Sequence, residues 1–206
     1  MDRYEKGFPA LLDGFDLETL ERDPHSIFAL SPDLWLIYLN PAWFVFAKEN
    51  SGNPGISERF AIGTPVLSAI SATLRPFYSS AYRETLLTGT VWHHDYECSS
   101  PERFRLYHQT AYPLHNRQGI LVINSLTEEG AQSAETRPVH KPDREKYMGQ
   151  NGLITQCANC RRVQRLSPET LWDWVPDWVR RMPMNTTGGL CPICYDFYWK
   201  HRSKSQ

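Results

Sequence analysis

The chain has 206 residues, a hydrophobic share of 41%, a charged share of 22% and a formal net charge of −1. That length suits one ordinary domain plus a small one, and that composition builds a packed core; the near-neutral balance argues against nucleic-acid binding by the chain as a whole. No stretch approaches the roughly eighteen apolar residues of a membrane span, and acidic residues from Asp2 to Glu18 break up the N-terminal region, so neither a membrane protein nor a signal peptide is expected.

Leu11, Leu12, Phe15, Leu17 and Leu20 are spaced for a short amphipathic helix over about residues 9 to 22. It is expected as a lid on the following domain and as the contact of a homodimer, two roles that do not exclude each other. Ser26 to Leu30 and Leu34 to Leu39 read as strands joined by a turn at Ser31-Pro32-Asp33. Asn40-Pro41 caps and opens a helix that Ser51-Gly52-Asn53-Pro54-Gly55 closes, and Ile62 to Ile70 forms a second, irregular helical stretch. Leu74, Phe77, Tyr78, Ala81, Tyr82 and Thr85 recur with helical spacing, with Thr73 as the expected N-cap and Gly89 as the stop. Three strands follow, at about Thr90–Cys98, Phe104–Leu114 and Gly119–Thr127. The order is α+β: an antiparallel sheet with its helices grouped on one face. Glu128 to Gln150 is polar and aperiodic, so it reads as a linker.

The last segment carries Cys157-Ala158-Asn159-Cys160 and Cys191-Pro192-Ile193-Cys194. Two residues between thiolates let a tight turn aim both sulfurs at one point, and two such turns make a four-sulfur cage suited to Zn²⁺. Two disulfides and buried free thiols are the rivals, but a cytoplasmic chain keeps its thiols reduced and available to metal. Iron is a rival metal; Arg161 and Tyr195 stand where iron-binding rubredoxin loops carry glycine, which favours zinc. The fifth cysteine, Cys98, is expected to stay outside the cage.

Residues 24 to 128 resemble a PAS domain, on Ile37-Tyr38-Leu39-Asn40-Pro41-Ala42-Trp43, the long helix ending at Thr88-Gly89, and the three closing strands. The resemblance implies a five-stranded sheet with a small cavity beneath the helices, used for sensing or protein contact. The cysteine segment, with its tryptophans and Gly189-Leu190-Cys191, is similar to a tail found after PAS domains in bacterial signalling proteins. Such tails often carry histidine-glycine before the second pair; Gly188-Gly189 stand here, which leaves no histidine ligand at that point. The resulting organisation is an N-terminal helix over 1–23, a PAS domain over 24–128, a linker over 129–150 and a zinc-binding tail with four cysteine ligands over 151–206.

Within the domain, a five-residue loop from Ser99 to Arg103 would set Cys98 opposite Phe104 and His94 opposite His108. Period-two alternation would then put Trp92, His94, Tyr96 and Cys98 on the cavity side with His108, beneath Phe77, Tyr78 and Tyr82. These histidines either line a site for a small ligand or metal, or only specify the core through hydrogen bonds. Haem-binding PAS members often use a histidine on the long helix, which lacks one here, and photoactive flavin members need a cysteine before it. Haem ligation through His94 or His108 stays open.

No catalytic constellation is evident, and a cage of four sulfurs is closed, so a structural ion is expected. Trp172, Trp174, Trp178 and Trp199 are read as packing for the tail rather than an interface. Arg161, Arg162, Arg165, Arg180 and Arg181, against Glu169, Asp173 and Asp177, read as a solvated face. The expected protein is a stand-alone cytoplasmic PAS sensor that signals through a protein partner. The alternatives are a nucleic-acid-associated regulator using the basic tail, and an enzyme using the His94/His108 cavity.

Overall fold

The computed structural model describes residues 3–49 and 55–200, so most of the helix stop expected at Ser51–Gly55, and the chain after Lys200, lie outside the described residues. Among the described residues the chain divides into two compact units. The first takes in Met1–Ser71, Arg75–Asp95 and Tyr107–Leu126; the second takes in Ala72–Leu74, Tyr96–Leu106 and Thr127–Gln206.

The N-terminal segment is two short helices rather than one. A 3-10 turn, Phe8–Leu11, ends at Leu12 in extended backbone, and helix α1, Leu17–Arg22, starts afresh where the Asp16 side chain accepts from the Thr19 N–H at 2.8 Å. Gly14, at φ +78°, makes the break. Phe8 and Leu20 are buried, and Leu11, Leu12, Phe15 and Leu17 pack with Ile27, Ala29, Ile37, Tyr38, Leu114 and Leu121. These leucines therefore cover the chain's own sheet.

Strands β1 (Ser26–Leu30) and β2 (Leu36–Leu39) are antiparallel. Asn40 is fully buried between them and helix α2, Pro41–Glu49. Its Oδ1 accepts from the Ile27 and Trp43 N–H groups, both at 3.0 Å, so one side chain caps the helix and ties it to β1. Helix α3 (Gly55–Arg59) and a 3-10 turn at Val66–Ala69 lead to the long helix α4, Arg75–Thr88. Thr73 does not cap α4: its hydroxyl donates to Gly188 O at 2.8 Å. Gly89, at φ +75°, ends the helix as expected.

Strands β3 (Trp92–Glu97), β4 (Arg103–Pro113) and β5 (Ile120–Ala131) complete a five-stranded sheet in the order β2-β1-β5-β4-β3. The architecture is the α+β arrangement the alternation of elements foretold. Alternate residues of β1 and β5 divide the core. Ile27, Ala29 and Leu121 meet the N-terminal segment, whereas Phe28 and Val122 are paired on the opposite face.

The second unit holds a small sheet of β6 (Ile154–Cys157), β7 (Val163–Gln164), β8 (Trp172–Asp173) and β9 (Thr186–Gly189), ordered β8-β7-β6-β9. Helices α5 (Arg144–Tyr147), α6 (Pro176–Arg180) and α7 (Pro192–Trp199) accompany it. The segment read as a linker is built into this unit. It continues β5 to Ala131, buries Arg137 against Glu97 in a two-pronged ion pair (2.7 and 3.0 Å), and sends Tyr147 into a core with Ile154, Val163, Val175 and Trp178. Arg165 and Asp173, read as part of a solvated face, form an internal pair instead, with Asp173 buried.

Candidate metal centre and helix-side cluster

Local chain rules bring the four cysteines together. Gln156 pairs with Val163, so β6 and β7 form a hairpin whose tip is Cys157 to Arg162. Arg161 takes φ +63° there, and its N–H bonds Cys157 O at 3.1 Å; this is the left-handed turn for which such tips favour glycine, made by an arginine. The parallel pairing of Cys157 with Gly189 then delivers Cys191 two residues later beside the hairpin tip. Cys191 is the N-cap of α7, Pro192 takes its first turn, and Cys194 follows within it. One pair thus sits on a hairpin tip and the other on a helix start, which explains why Tyr195 needs no glycine: its N–H makes a helical bond to Cys191 O at 2.8 Å.

All four cysteines are buried, their sulfurs lie within 4.8 Å of one another, and Cys160 Sγ is 3.7 Å from Cys191 Sγ. A tetrahedral ion with sulfurs at about 2.3 Å separates them by about 3.8 Å, so the thiols are already spaced for one. Hydrogen bonds from Cys160, Cys191 and Cys194 hold the Cys157 thiol well below the usual range. The bond to Cys157, first among the causes, pushes Cys160 and Cys194 up; it would also raise Cys191, but the bonds to Cys160 and Cys194 hold that thiol below its ordinary value. Hydrogen bonds among the thiols offset only part of the charge of four thiolates; the rest needs a cation. The donor set therefore fits a soft or borderline metal ion.

Asn159, read in the sequence only as a spacer between two cysteines, supports the centre. Its Nδ2 donates to Cys194 Sγ at 3.3 Å, and its Oδ1 accepts from the Glu97 N–H (3.1 Å) and the Tyr198 hydroxyl (3.2 Å). Such bonds fix a ligand's direction and neutralise part of its charge. Trp172 and Leu190 pack against the sulfurs. Cys98 is a free, half-buried thiol outside the cluster, and burial pushes its pKa up.

On the sheet of the first unit, the hairpin register differs from the expected one by one residue. Cys98 N–H bonds Arg105 O at 3.0 Å and Ser100 N–H bonds Arg103 O at 2.9 Å. The loop is thus a two-residue turn, Pro101-Glu102, and not five residues. Counting down from Cys98, Asp95 lies opposite His108 and His94 opposite Gln109. A slip of one reverses every side chain on the partner strand. His94 and His108 consequently lie on opposite faces, and the shared histidine cavity expected from the sequence does not exist.

The helix face holds Phe77, Tyr78, Tyr82, Trp92 and His94 together. The His94 ring centroid is 4.7 Å from that of Phe77 and 5.6 Å from that of Trp92, on which it stacks. Tyr82 and Trp92 meet edge-on at 5.8 Å. Tyr96 and Cys98 belong to the second unit, half-buried. Through this aromatic packing runs a polar chain. The Tyr82 hydroxyl donates to Gln109 Oε1 at 2.8 Å, Gln109 Nε2 to Asn124 Oδ1 at 2.7 Å, and Asn124 Nδ2 to Ser26 O at 3.1 Å. Burial, then neighbouring Tyr78, pushes the Tyr82 pKa well above its ordinary value, so the hydroxyl remains a donor. The Thr85 hydroxyl on the same helix is buried without a partner. Gln109 and Asn124 were legible only as polar interruptions of apolar strands, on a face that the wrong register turned away.

Gln109→Leu is expected to remove the acceptor of the buried Tyr82 hydroxyl and the donor to Asn124 Oδ1, at a cost on the order of 1–3 kcal/mol. Urea unfolding should show the loss; unchanged stability would mean that water replaces the amide.

No family model and no curated protein matches the chain. Solved structures do. A PAS domain from Colwellia psychrerythraea is 16% identical, with 53% of this chain and 92% of that one covered, at a TM-score of 0.40. A domain of an HTR-like protein from Haloarcula marismortui is 14% identical, covers 52% of this chain and 100% of its own, and scores 0.38. The phage protein VqmA, in complex with DPO, is 12% identical, covers 53% and 50%, and scores 0.40. Scores this low leave the description of the fold to its own elements: five antiparallel strands, with α2 and α4 on one face.

Proposed function

We propose that the chain is a cytoplasmic, non-enzymatic sensory or regulatory protein of the PAS type, which reads a small ligand or state and passes it on by protein contact. The observation that carries this reading is the polar chain Tyr82–Gln109–Asn124, which starts on α4 and ends at the Ser26 carbonyl of β1. A buried network of this kind has few satisfied arrangements, so a ligand favouring one of them would shift strands far from its own contacts. His94, Trp92, Phe77, Tyr78 and the Thr85 hydroxyl supply an apolar wall with a few polar groups, the usual make-up of a small-molecule site. Native mass spectrometry and an absorption spectrum of the purified protein, with a thermal-shift screen on wild type and Gln109→Leu, test the reading. A co-purified molecule, or a ligand-induced rise in Tm that shrinks in the variant, is expected. No bound molecule and no rise with any ligand would reject it.

In the same proposal the tail cysteines hold Zn²⁺ as a structural ion, which elemental analysis distinguishes from iron. The protein is further proposed to act as a homodimer. Leu11, Leu12 and Leu17 pack on the sheet yet stay partly exposed, so the N-terminal segment can serve as its contact. Light scattering that gives a monomer at high concentration would reject the dimer.

A further inference from the structure

The register that separates His94 from His108 brings three other residues together on the opposite face. Asp95 lies across from His108, and His93 across from Thr110. Both are positions where strands exchange no hydrogen bonds and side chains approach most closely. His108 Nδ1 is 2.6 Å from Asp95 Oδ1, and His108 Nε2 is 3.2 Å from His93 Nδ1. The Thr110 hydroxyl is also 3.2 Å from His93 Nδ1. The two imidazoles stack at 5.3 Å with 27° between their planes.

We propose that His93 and His108 form a second metal site, for a borderline divalent ion of the Zn²⁺ or Ni²⁺ kind. Three features support it. First, the spacing is right. Two imidazole nitrogens bound at about 2.0–2.1 Å lie about 3.3–3.4 Å apart on a tetrahedral ion, and about 2.8–3.0 Å apart when adjacent on an octahedral one. The observed 3.2 Å falls between. Second, His108 is already arranged as a ligand. The carboxylate of Asp95 takes the Nδ1 proton in a hydrogen bond, which leaves the Nε2 lone pair for a metal; metal-bound histidines are oriented in this way by carboxylates. Third, the donors are open to solvent and stand on strands. The His108 and Asp95 side chains are 37% and 48% exposed, and His93 is exposed. An ion would keep water in its remaining positions, unlike one held in the closed cysteine cage. On binding, His93 moves its proton from Nδ1 to Nε2 and stays neutral, so the histidines gain no charge. The Thr110 hydroxyl is placed to bond a water on the ion.

The site is tested on the untagged full chain already holding its tail metal. Zn²⁺ is added in equilibrium dialysis, and bound metal is counted per chain. One ion beyond the tail metal is expected. His93→Gln and His108→Gln should abolish it, and Asp95→Asn should weaken it by about 10–100-fold. His94→Gln, on the other face, should leave it unchanged. Ni²⁺ should compete for the extra ion without releasing the tail metal. Far-UV circular dichroism and retained tail metal check that each variant folds; if His108→Gln does not fold, exposed His93→Gln decides alone. No second ion, or equal binding by wild type and His93→Gln, overturns the proposal.

Discussion

Cys191→Ser is expected to lose the tail metal and, with it, the fold of the tail. The four sulfurs form the core around which Trp172 and Leu190 pack. Without a cation that core is four buried sulfur groups crowded within 4.8 Å of one another. Structural zinc sites in small domains contribute about 10–16 kcal/mol of apparent binding energy, and that energy is folding energy. It matches or exceeds the roughly 5–15 kcal/mol that holds a whole protein together. The remaining three cysteines cannot recover it, because serine offers a poorer ligand and the open position admits water. Elemental analysis should find the variant depleted of metal. Limited proteolysis should cut it in the tail, where the wild type resists. A chelator applied to the wild type should reproduce both effects. Cys98→Ser is the matched control: that thiol lies outside the cluster, so its loss should leave metal content unchanged. Full metal occupancy in Cys191→Ser would overturn the assignment of the four ligands.

The contrast between the two sites shows what a sequence can carry. Cysteine pairs speak through local geometry: two intervening residues suffice to make a turn, whichever way the rest of the tail folds. The cluster was therefore legible, and so was the succession of elements, because Asn40-Pro41, Gly89 and the helical stripe of α4 act over a few residues each. The histidine cavity depended on a register, and register depends on one turn. Ser99 to Arg103 reads as a loop of five because Ser-Ser-Pro breaks a strand. The structure instead closes the turn at Pro101-Glu102, helped by the Ser100 Oγ accepting the Arg103 N–H at 3.1 Å. That difference exchanged one face for the other and replaced His108 with Gln109 beside His94. Arg137, Tyr147 and Asp173 were illegible for another reason. Arg137 and Tyr147 are polar or amphipathic residues in a polar stretch, Asp173 is a lone charge between Trp172 and Trp174, and it is distant partners that bury them. No local spacing announces that Glu97, forty residues earlier, will meet Arg137.

Asp173→Asn should destabilise the tail by about 3 kcal/mol, the lower end of the range for breaking a buried ion pair because its partners are partly exposed. The carboxylate is 7% exposed and faces four side chains at once. Arg165 grips both oxygens at 2.7 and 2.8 Å, the Tyr147 hydroxyl donates at 2.6 Å, Lys146 lies at 2.9 Å and His140 at 3.5 Å. Burial alone would raise its pKa; the bonds from Arg165, Tyr147 and Lys146 outweigh it and hold the carboxyl well below the usual range. Asparagine preserves the shape but removes the charge, so Arg165 and Lys146 are left facing a neutral amide. A depressed folded pKa stabilises the fold above the unfolded value, about 3.9, and that contribution fades only as pH falls through the lower folded value. At neutral pH the aspartate is ionised in both states. The stability gap between wild type and variant should therefore be present at neutral pH and should narrow in acid solution, as the folded carboxyl is protonated. Tyr147→Phe removes one donor and keeps the ring that packs on Trp178 at 5.5 Å, so it should cost about 1 kcal/mol. Urea unfolding of the metal-loaded proteins, followed by tryptophan fluorescence, measures all three. An Asp173→Asn variant as stable as wild type at neutral pH would mean that the buried carboxylate contributes nothing net, its desolvation cancelling its bonds.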